Sequence, residues 1–175
     1  EMLIAKSNDQ PYDREIFARR LRRAVAEVVK KQIDCGIDIV NDGEFGKHSF
    51  SDYARERLGG YVERAPDPDE RPPAIFGRDL VDFPEYFNSK GGRAVVGRHA
   101  MRFFCNVPIK YIGHAAVKTD IENFTAALQG VKVEEAFLPA VAPGTIEHRL
   151  KNEYYPNDEA YVYALADAMH EEYKA

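Results

Sequence analysis

Between Asp13 and Asp34 the apolar residues Phe17, Leu21, Ala24, Val25, Val28 and Val29 recur at steps of three and four. That spacing predicts an amphipathic helix, with Asp13 as its cap because an Asp oxygen can accept a backbone N–H that the first turn leaves unpaired. Gly36 follows as the stop, and Ile37-Asp38-Ile39-Val40 as a short β-branched strand. Ser49 to Leu58 reads as a second, short helix ended by Gly59-Gly60. The segment "ERAPDPDERPPA", residues 63–74, combines four prolines with charge and predicts an exposed loop.

Further on, "GRAVVGRHAMRFFCNVPIKYIG" (92–113) is rich in β-formers but interrupted by Gly97 and Pro108, which predicts two or three short strands. Thr119-Asp120-Ile121-Glu122 has the capping-box pattern and predicts a helix opening there and running to about Gly130. "VEEAFLPAVAPGT" (133–145) predicts an apolar strand ending in a proline–glycine turn. Asn157, ahead of Asp158 and Glu159, starts a last helix in which Tyr161, Leu165 and Met169 share a face.

Helices alternating with strands in this order predict an α/β fold with a parallel sheet. Such folds bind ligands at the carboxyl ends of their strands. Asn41-Asp42-Gly43-Glu44 leaves one such end and Ala142-Pro143-Gly144-Thr145 another, so the expectation is that both face one crevice.

Composition changes the picture mainly by exclusion. The 175 residues suit one domain, and 45% hydrophobic content with ten Tyr and ten Phe is enough for a core. A formal charge of −5 gives no general attraction to nucleic acid or to an anionic membrane. The cluster Arg19-Arg20-Leu21-Arg22-Arg23 lies within the first predicted helix and reads as its solvated face. Cys35 and Cys105 form no C-x-x-C pair, so a disulfide framework is not expected and a cytoplasmic setting is. Both read as small core residues. No apolar stretch approaches the roughly 20 residues of a membrane span, and no secretory signal is found. The chain begins with Glu1 and ends inside an apparent helix, and it reads as a piece of something longer.

Asp42 and Glu44 carry the candidate chemistry. A carboxylate at the mouth of an α/β fold can hold an ammonium group or act as a base; the plainer reading is a polar Asp-Gly turn with Glu44 opening a helix. The five histidines, His48, His99, His114, His148 and His170, make no metal motif. His148 follows the 142–145 turn within reach of a substrate, or is a solvated histidine. Gly59-Gly60 and Gly91-Gly92 lack phosphate-loop spacing. The tyrosines of "KNEYYPNDEAYVYA" read as helix-face residues.

"GIDIVNDGEFGKHSFSDYARERLGGY" resembles the strand and turn of the cobalamin-independent methionine synthase family, in its catalytic carboxyl-terminal barrel. "FFCNVPIKYIG" and "EEAFLPAVAPGTI" fit the same resemblance in the same order, which covers essentially the whole chain. Stand-alone methionine-synthase-like proteins and the more distant uroporphyrinogen decarboxylases share that barrel. The fold implied is α/β, a partial TIM (β/α)8 barrel: its front half, with a β-rich insertion. A complete barrel takes about 250 residues, and the first strand, expected before Glu1, is missing with the later half.

The resemblance implies roles position by position. Glu44 matches the glutamate that holds the amino group of homocysteine, with Asp42 beside it at the mouth. Phe104 and Cys105 match the pair that lies against the folate substrate. Arg149 falls where folate-dependent members carry a tryptophan that stacks on the pterin. An arginine removes that ring but can stack by its guanidinium plane or attract an anionic substrate. With His148, it would receive the methyl donor. The implied activity is transfer of a methyl group from a methyltetrahydrofolate-type donor to a zinc-bound thiol such as homocysteine, the partners being those two small molecules. The family's zinc ligands, a histidine, two cysteines and a glutamate, are not found in this chain. Two alternatives stay open: a metal-free decarboxylase- or lyase-like enzyme whose Arg149 grips carboxylates, and a non-catalytic fragment or paralogue. The latter would pair as a homo-oligomer or with a complementary half-barrel, because open strand edges seek partners.

Overall fold

The computed structural model describes residues 1–8, 10–65, 78–79, 81–89 and 102–175. Most of the loop expected over 63–74, together with Gly97 and His99, lies outside the described residues. In chain order the elements are α1 (Met2–Ser7), α2 (Arg14–Asp34), β1 (Ile39–Asn41), α3 (Phe50–Arg57), β2 (Leu58–Arg64), α4 (Pro84–Asn88), β3 (Arg102–Tyr111), α5 (His114–Ala127), β4 (Glu135–Phe137), α6 (Pro143–Arg149), β5 (Lys151–Asn152) and α7 (Asp158–Lys174). They fall into two compact units. One comprises Glu1–Arg57, Tyr111–Val141 and His170–Ala175; the other comprises Leu58–Lys110 and Ala142–Met169.

In the first unit, α2 follows its sequence pattern. Asp13 accepts the Ile16 N–H at 2.9 Å, and Arg19, Arg20, Arg22 and Arg23 face solvent. Gly36 ends the helix at φ 80°, a left-handed conformation open to glycine at no steric cost. The Ile37 N–H then bonds back to the Gln32 carbonyl at 3.0 Å. That bond ties Ile37 to the helix end, so the strand begins at Ile39, two residues later than its β-branched pattern suggests. Cys35, expected in the core, is exposed at this helix end.

β1 pairs in parallel with β4, Ile39 opposite Glu135 and Asn41 opposite Phe137. Val40, between them, is fully buried with Val25 and Val29 of α2 and Phe124 of α5. Each such side chain contributes about 1.5–3 kcal/mol by leaving water. The strand period of two puts Ile39 and Phe137 on the opposite face, where they are 48% and 49% exposed.

Helix α5 opens at His114, five residues before the capping-box Thr119. Thr119 is interior to it, its hydroxyl donating to the Ala115 carbonyl at 3.0 Å, as helix-interior threonines do. The start is set instead by Gly113, where a Cβ would stand 2.3 Å from Cδ of Arg57. A long-range packing demand chose the boundary.

In the second unit, β2, β3 and β5 form a three-stranded sheet, with Phe104 opposite Lys151 and Cys105 opposite Asn152 in parallel. The pair Gly59-Gly60, expected as a helix stop, lies inside β2. Gly60 has φ 107°, and a Cβ there would stand 2.9 Å from the Pro108 carbonyl oxygen. β3 runs unbroken through Pro108 for ten residues rather than splitting. The Pro143–Gly144 turn is likewise the start of α6, because proline at the first helical position withholds only an N–H that would be unpaired anyway. Asn157 caps α7 through the Ala160 N–H at 2.8 Å, and Tyr161, Leu165 and Met169 are fully buried.

The chain is thus mixed α/β with two small sheets, and its helix-backed parallel pair is compatible with a fragment of a barrel. Neither sheet closes into one among the described residues.

Candidate functional site

The turn after β1 is built by side chains that replace the missing backbone ladder. Gln32 of α2 grips Asn41 twice, donating to its carbonyl at 2.8 Å and accepting its N–H at 3.1 Å. Asn41 Oδ1 accepts the Gly43 N–H at 2.8 Å, and Asp42 Oδ1 accepts that of Glu44 at 3.1 Å. These two bonds curl the chain so tightly that Gly43 and Glu44 take φ values of 68° and 56°. For Gly43 this is free, and a Cβ would meet Val28 Cγ1 at 2.9 Å. Glu44 is the non-glycine residue at positive φ among the described residues; holding it there costs about 1–2 kcal/mol.

The strained turn presents a half-buried Glu44 carboxylate 3.6 Å from the Lys47 ammonium. Lys47 also donates to the carbonyl of Pro139, just past β4, and sits 4.7 Å from the centre of the Tyr53 ring. One lysine therefore ties together the carboxyl ends of both parallel strands. Asp42 is 5% exposed.

Behind Lys47 lies a buried ionic cluster. Arg57, 2% exposed, donates through Nε to Glu172 at 3.1 Å and through Nη2 to Asp120 at 2.5 Å. Tyr53 and Tyr111 donate their hydroxyls to the two oxygens of Glu172. Burial, then the bond to Glu172, pushes both phenols far above their ordinary range, so they act as donors only. Burial also pushes the Asp120 carboxyl up, while Arg57 and Lys47 pull the other way and Asp42 adds to the rise. A cavity of about 460 Å³ opens beside these groups, with Lys47, Asp120 and Glu172 at its polar end. A size of this order suits a small ligand.

Phe104, Cys105, His148 and Arg149 belong to the second unit, whereas Asp42 and Glu44 belong to the first. Phe104 is fully buried, with the Arg64 guanidinium 3.5 Å from its ring centre. Cys105 is fully buried too; its thiol donates to the Val107 carbonyl at 3.3 Å. Burial pushes that thiol up, against a smaller pull from the backbone bond, which disfavours the thiolate. His148 and Arg149 are exposed in the last turn of α6, where a helix end favours positive charge. His148 stands 3.6 Å from the Glu147 carboxylate. The tyrosines of this unit stack and bond inward: Tyr161 donates to the Leu150 carbonyl, and its oxygen lies 2.8 Å from that of Tyr61.

Sequence reasoning missed Lys47, Tyr53, Arg57, Tyr111 and Glu172, and took Asp120 for part of a cap. Two signals were present. Tyr53 and Arg57 are four apart on one helix, and Glu172 extends the apolar stripe of Tyr161, Leu165 and Met169 by three residues. A carboxylate on such a stripe is buried, and a buried carboxylate needs partners. Among the described residues no group of three His, Cys, Asp or Glu could hold a metal ion, so the donors described do not fit the zinc that the resemblance implies. No helix among them is long and apolar enough to cross a membrane.

No family model matches the sequence, and no curated protein does. Among solved structures the chain is similar to a B12-independent methionine synthase from Shewanella sp. W3-18-1 in complex with selenomethionine. The TM-score is 0.58 at 17% identity, over 93% of this chain and 40% of that one. The chain thus spans two-fifths of the length of that protein, and the likeness is one of fold.

Proposed function

We propose that this chain is part of a methionine-synthase-like methyltransferase, and that its own contribution is to bind an amino-acid thiol such as homocysteine through Glu44. The reaction would form a bond between the thiol sulfur and a methyl carbon. The methyl group would leave the nitrogen of a methyltetrahydrofolate-type donor, which takes up a proton as the thiol gives one up. Since the described donors do not fit a metal, no step is assigned to zinc.

The observation that carries the reading is the backbone of Glu44 at φ 56°. Glycine would hold that turn at lower cost. Strain of this kind persists where a side chain must be presented in one place, and here it presents a carboxylate at the end of a parallel strand. A ligand ammonium would share Glu44 with Lys47, whose 3.6 Å separation leaves room for a closer donor. The fold likeness to a methionine synthase in complex with selenomethionine supports an amino-acid ligand. On the second unit, exposed His148 and Arg149 are the residues proposed to attract the anionic donor, with Phe104 and Cys105 as buried support.

Calorimetric titration with homocysteine and with 4-mercaptobutanoate, which lacks only the amino group, tests the reading. Homocysteine should bind at least about tenfold more tightly, the 1.4 kcal/mol or more of a charge-assisted hydrogen bond. Equal affinities would remove the role assigned to Glu44.

A further inference from the structure

Lys47 is a cation that the fold buries without fully satisfying. Its side chain is 8% exposed, and at that depth an ammonium needs partners for its three N–H donors. One donor goes to the Pro139 carbonyl, and the ammonium lies 4.7 Å from the centre of the Tyr53 ring. The Glu44 carboxylate stands 3.6 Å away, beyond the roughly 2.7–2.9 Å of a charge-assisted hydrogen bond. Among the described residues the ammonium thus makes one hydrogen bond and the Glu44 carboxylate none. Lys47 also lines the cavity of about 460 Å³, so a ligand group can reach it despite its burial.

A gap of 3.6 Å between opposite charges is long for the pair itself and suits a bridging zwitterion. In an α-amino acid the ammonium nitrogen and the nearer carboxylate oxygen are about 2.7 Å apart. Placed across the gap, the ammonium reaches Glu44 and the carboxylate reaches Lys47, each at about 2.8 Å. One long ion pair becomes two short ones. The ligand also brings no net charge, which matters beside Asp120 and Glu172. Arg57 already holds those two carboxylates at 2.5 and 3.1 Å, and an anion without its own ammonium would be repelled by them.

We infer that Lys47 holds the α-carboxylate of the amino-acid ligand, and so makes the Glu44 turn specific for a whole amino acid rather than for any amine. The inference rests on the role proposed for Glu44 and adds the second half of the ligand's head group. It gives the buried ammonium the acceptor that the described residues do not supply.

Calorimetric titration of the whole chain with homocysteine, 3-aminopropane-1-thiol and 4-mercaptobutanoate separates the two roles, because the second lacks only the carboxylate and the third only the amino group. Homocysteine should bind at least about tenfold more tightly than the aminothiol, the worth of a charge-assisted hydrogen bond. Equal affinities for those two, with the mercapto acid weaker, would overturn the role of Lys47 and leave that of Glu44 standing. A mercapto acid equal to homocysteine, with the aminothiol weaker, would remove Glu44 and keep a carboxylate site at Lys47. No binding of any of the three would overturn both. Lys47→Met should cost homocysteine at least about tenfold without weakening the aminothiol, whose ammonium then has Glu44 to itself. Equal weakening of both ligands would mean that Lys47 serves only to tie the strand ends together, and would overturn the inference. The comparison among ligands uses the unmodified chain and holds whether or not the variant folds.

Discussion

Glu44 sits at φ 56° one residue after a glycine at 68°, and the fold would hold this turn more easily with two glycines. Glu44→Gly should therefore raise stability by about 1 kcal/mol, read as a higher urea midpoint, while abolishing whatever the carboxylate binds. A lower midpoint would mean that the Lys47 ion pair, not ligand binding, is what the carboxylate serves. At this scale the sequence was legible where bonds are local. Asp13 caps α2 and Asn157 caps α7 within three residues of themselves, as their side-chain chemistry requires. The carboxylates of the β1 turn were legible as charge at a strand end. The strain was not, because it arises from two consecutive side-chain bonds and from Val28 lying under Gly43.

Among elements, the central contact is Arg57 of α3 with Glu172 of α7 and Asp120 of α5. Glu172 lies 115 residues from Arg57 in sequence, so no window of the chain contains the pair, and the capping-box pattern drew Asp120 into a different role. Arg57→Met keeps most of the side-chain volume but leaves two carboxylates without their cation. It should cost about 3–5 kcal/mol of unfolding free energy in denaturant titration. A loss below 1 kcal/mol would mean that water replaces the guanidinium.

Asp120 gives this cluster a pH signature. Burial raises its folded pKa above the ordinary 3.8, so the folded chain binds that proton more tightly than the unfolded chain does. The associated stability is present at low pH and is lost as pH rises from 3.8 through the folded value. Asp120→Asn removes the titration. The melting temperature of the variant minus that of the original should thus become more positive between pH 3 and pH 7, and a difference that falls over that range would contradict the burial-dominated shift. Other boundaries moved for similar reasons of packing: α5 opens where Gly113 accommodates Arg57, and β2 carries Gly60 where Pro108 comes close.

For the molecule as a whole, the alternation of helices and strands announced a mixed α/β chain, and a solved methionine synthase has a similar fold over 93% of it. What the alternation could not supply is closure. The parallel sheet has two strands and the other three, and the remaining 60% of that methionine synthase has no counterpart in these 175 residues. The proposed function therefore rests on whether the Glu44 turn recognises an amino group. Calorimetry of homocysteine binding to the chain and to its Glu44→Gln variant tests this most directly, since the amide keeps the shape and removes the charge. The role proposed for Glu44 requires measurable binding that weakens at least about tenfold in the variant. Equal affinities, or no binding to the unmodified chain, would contradict it.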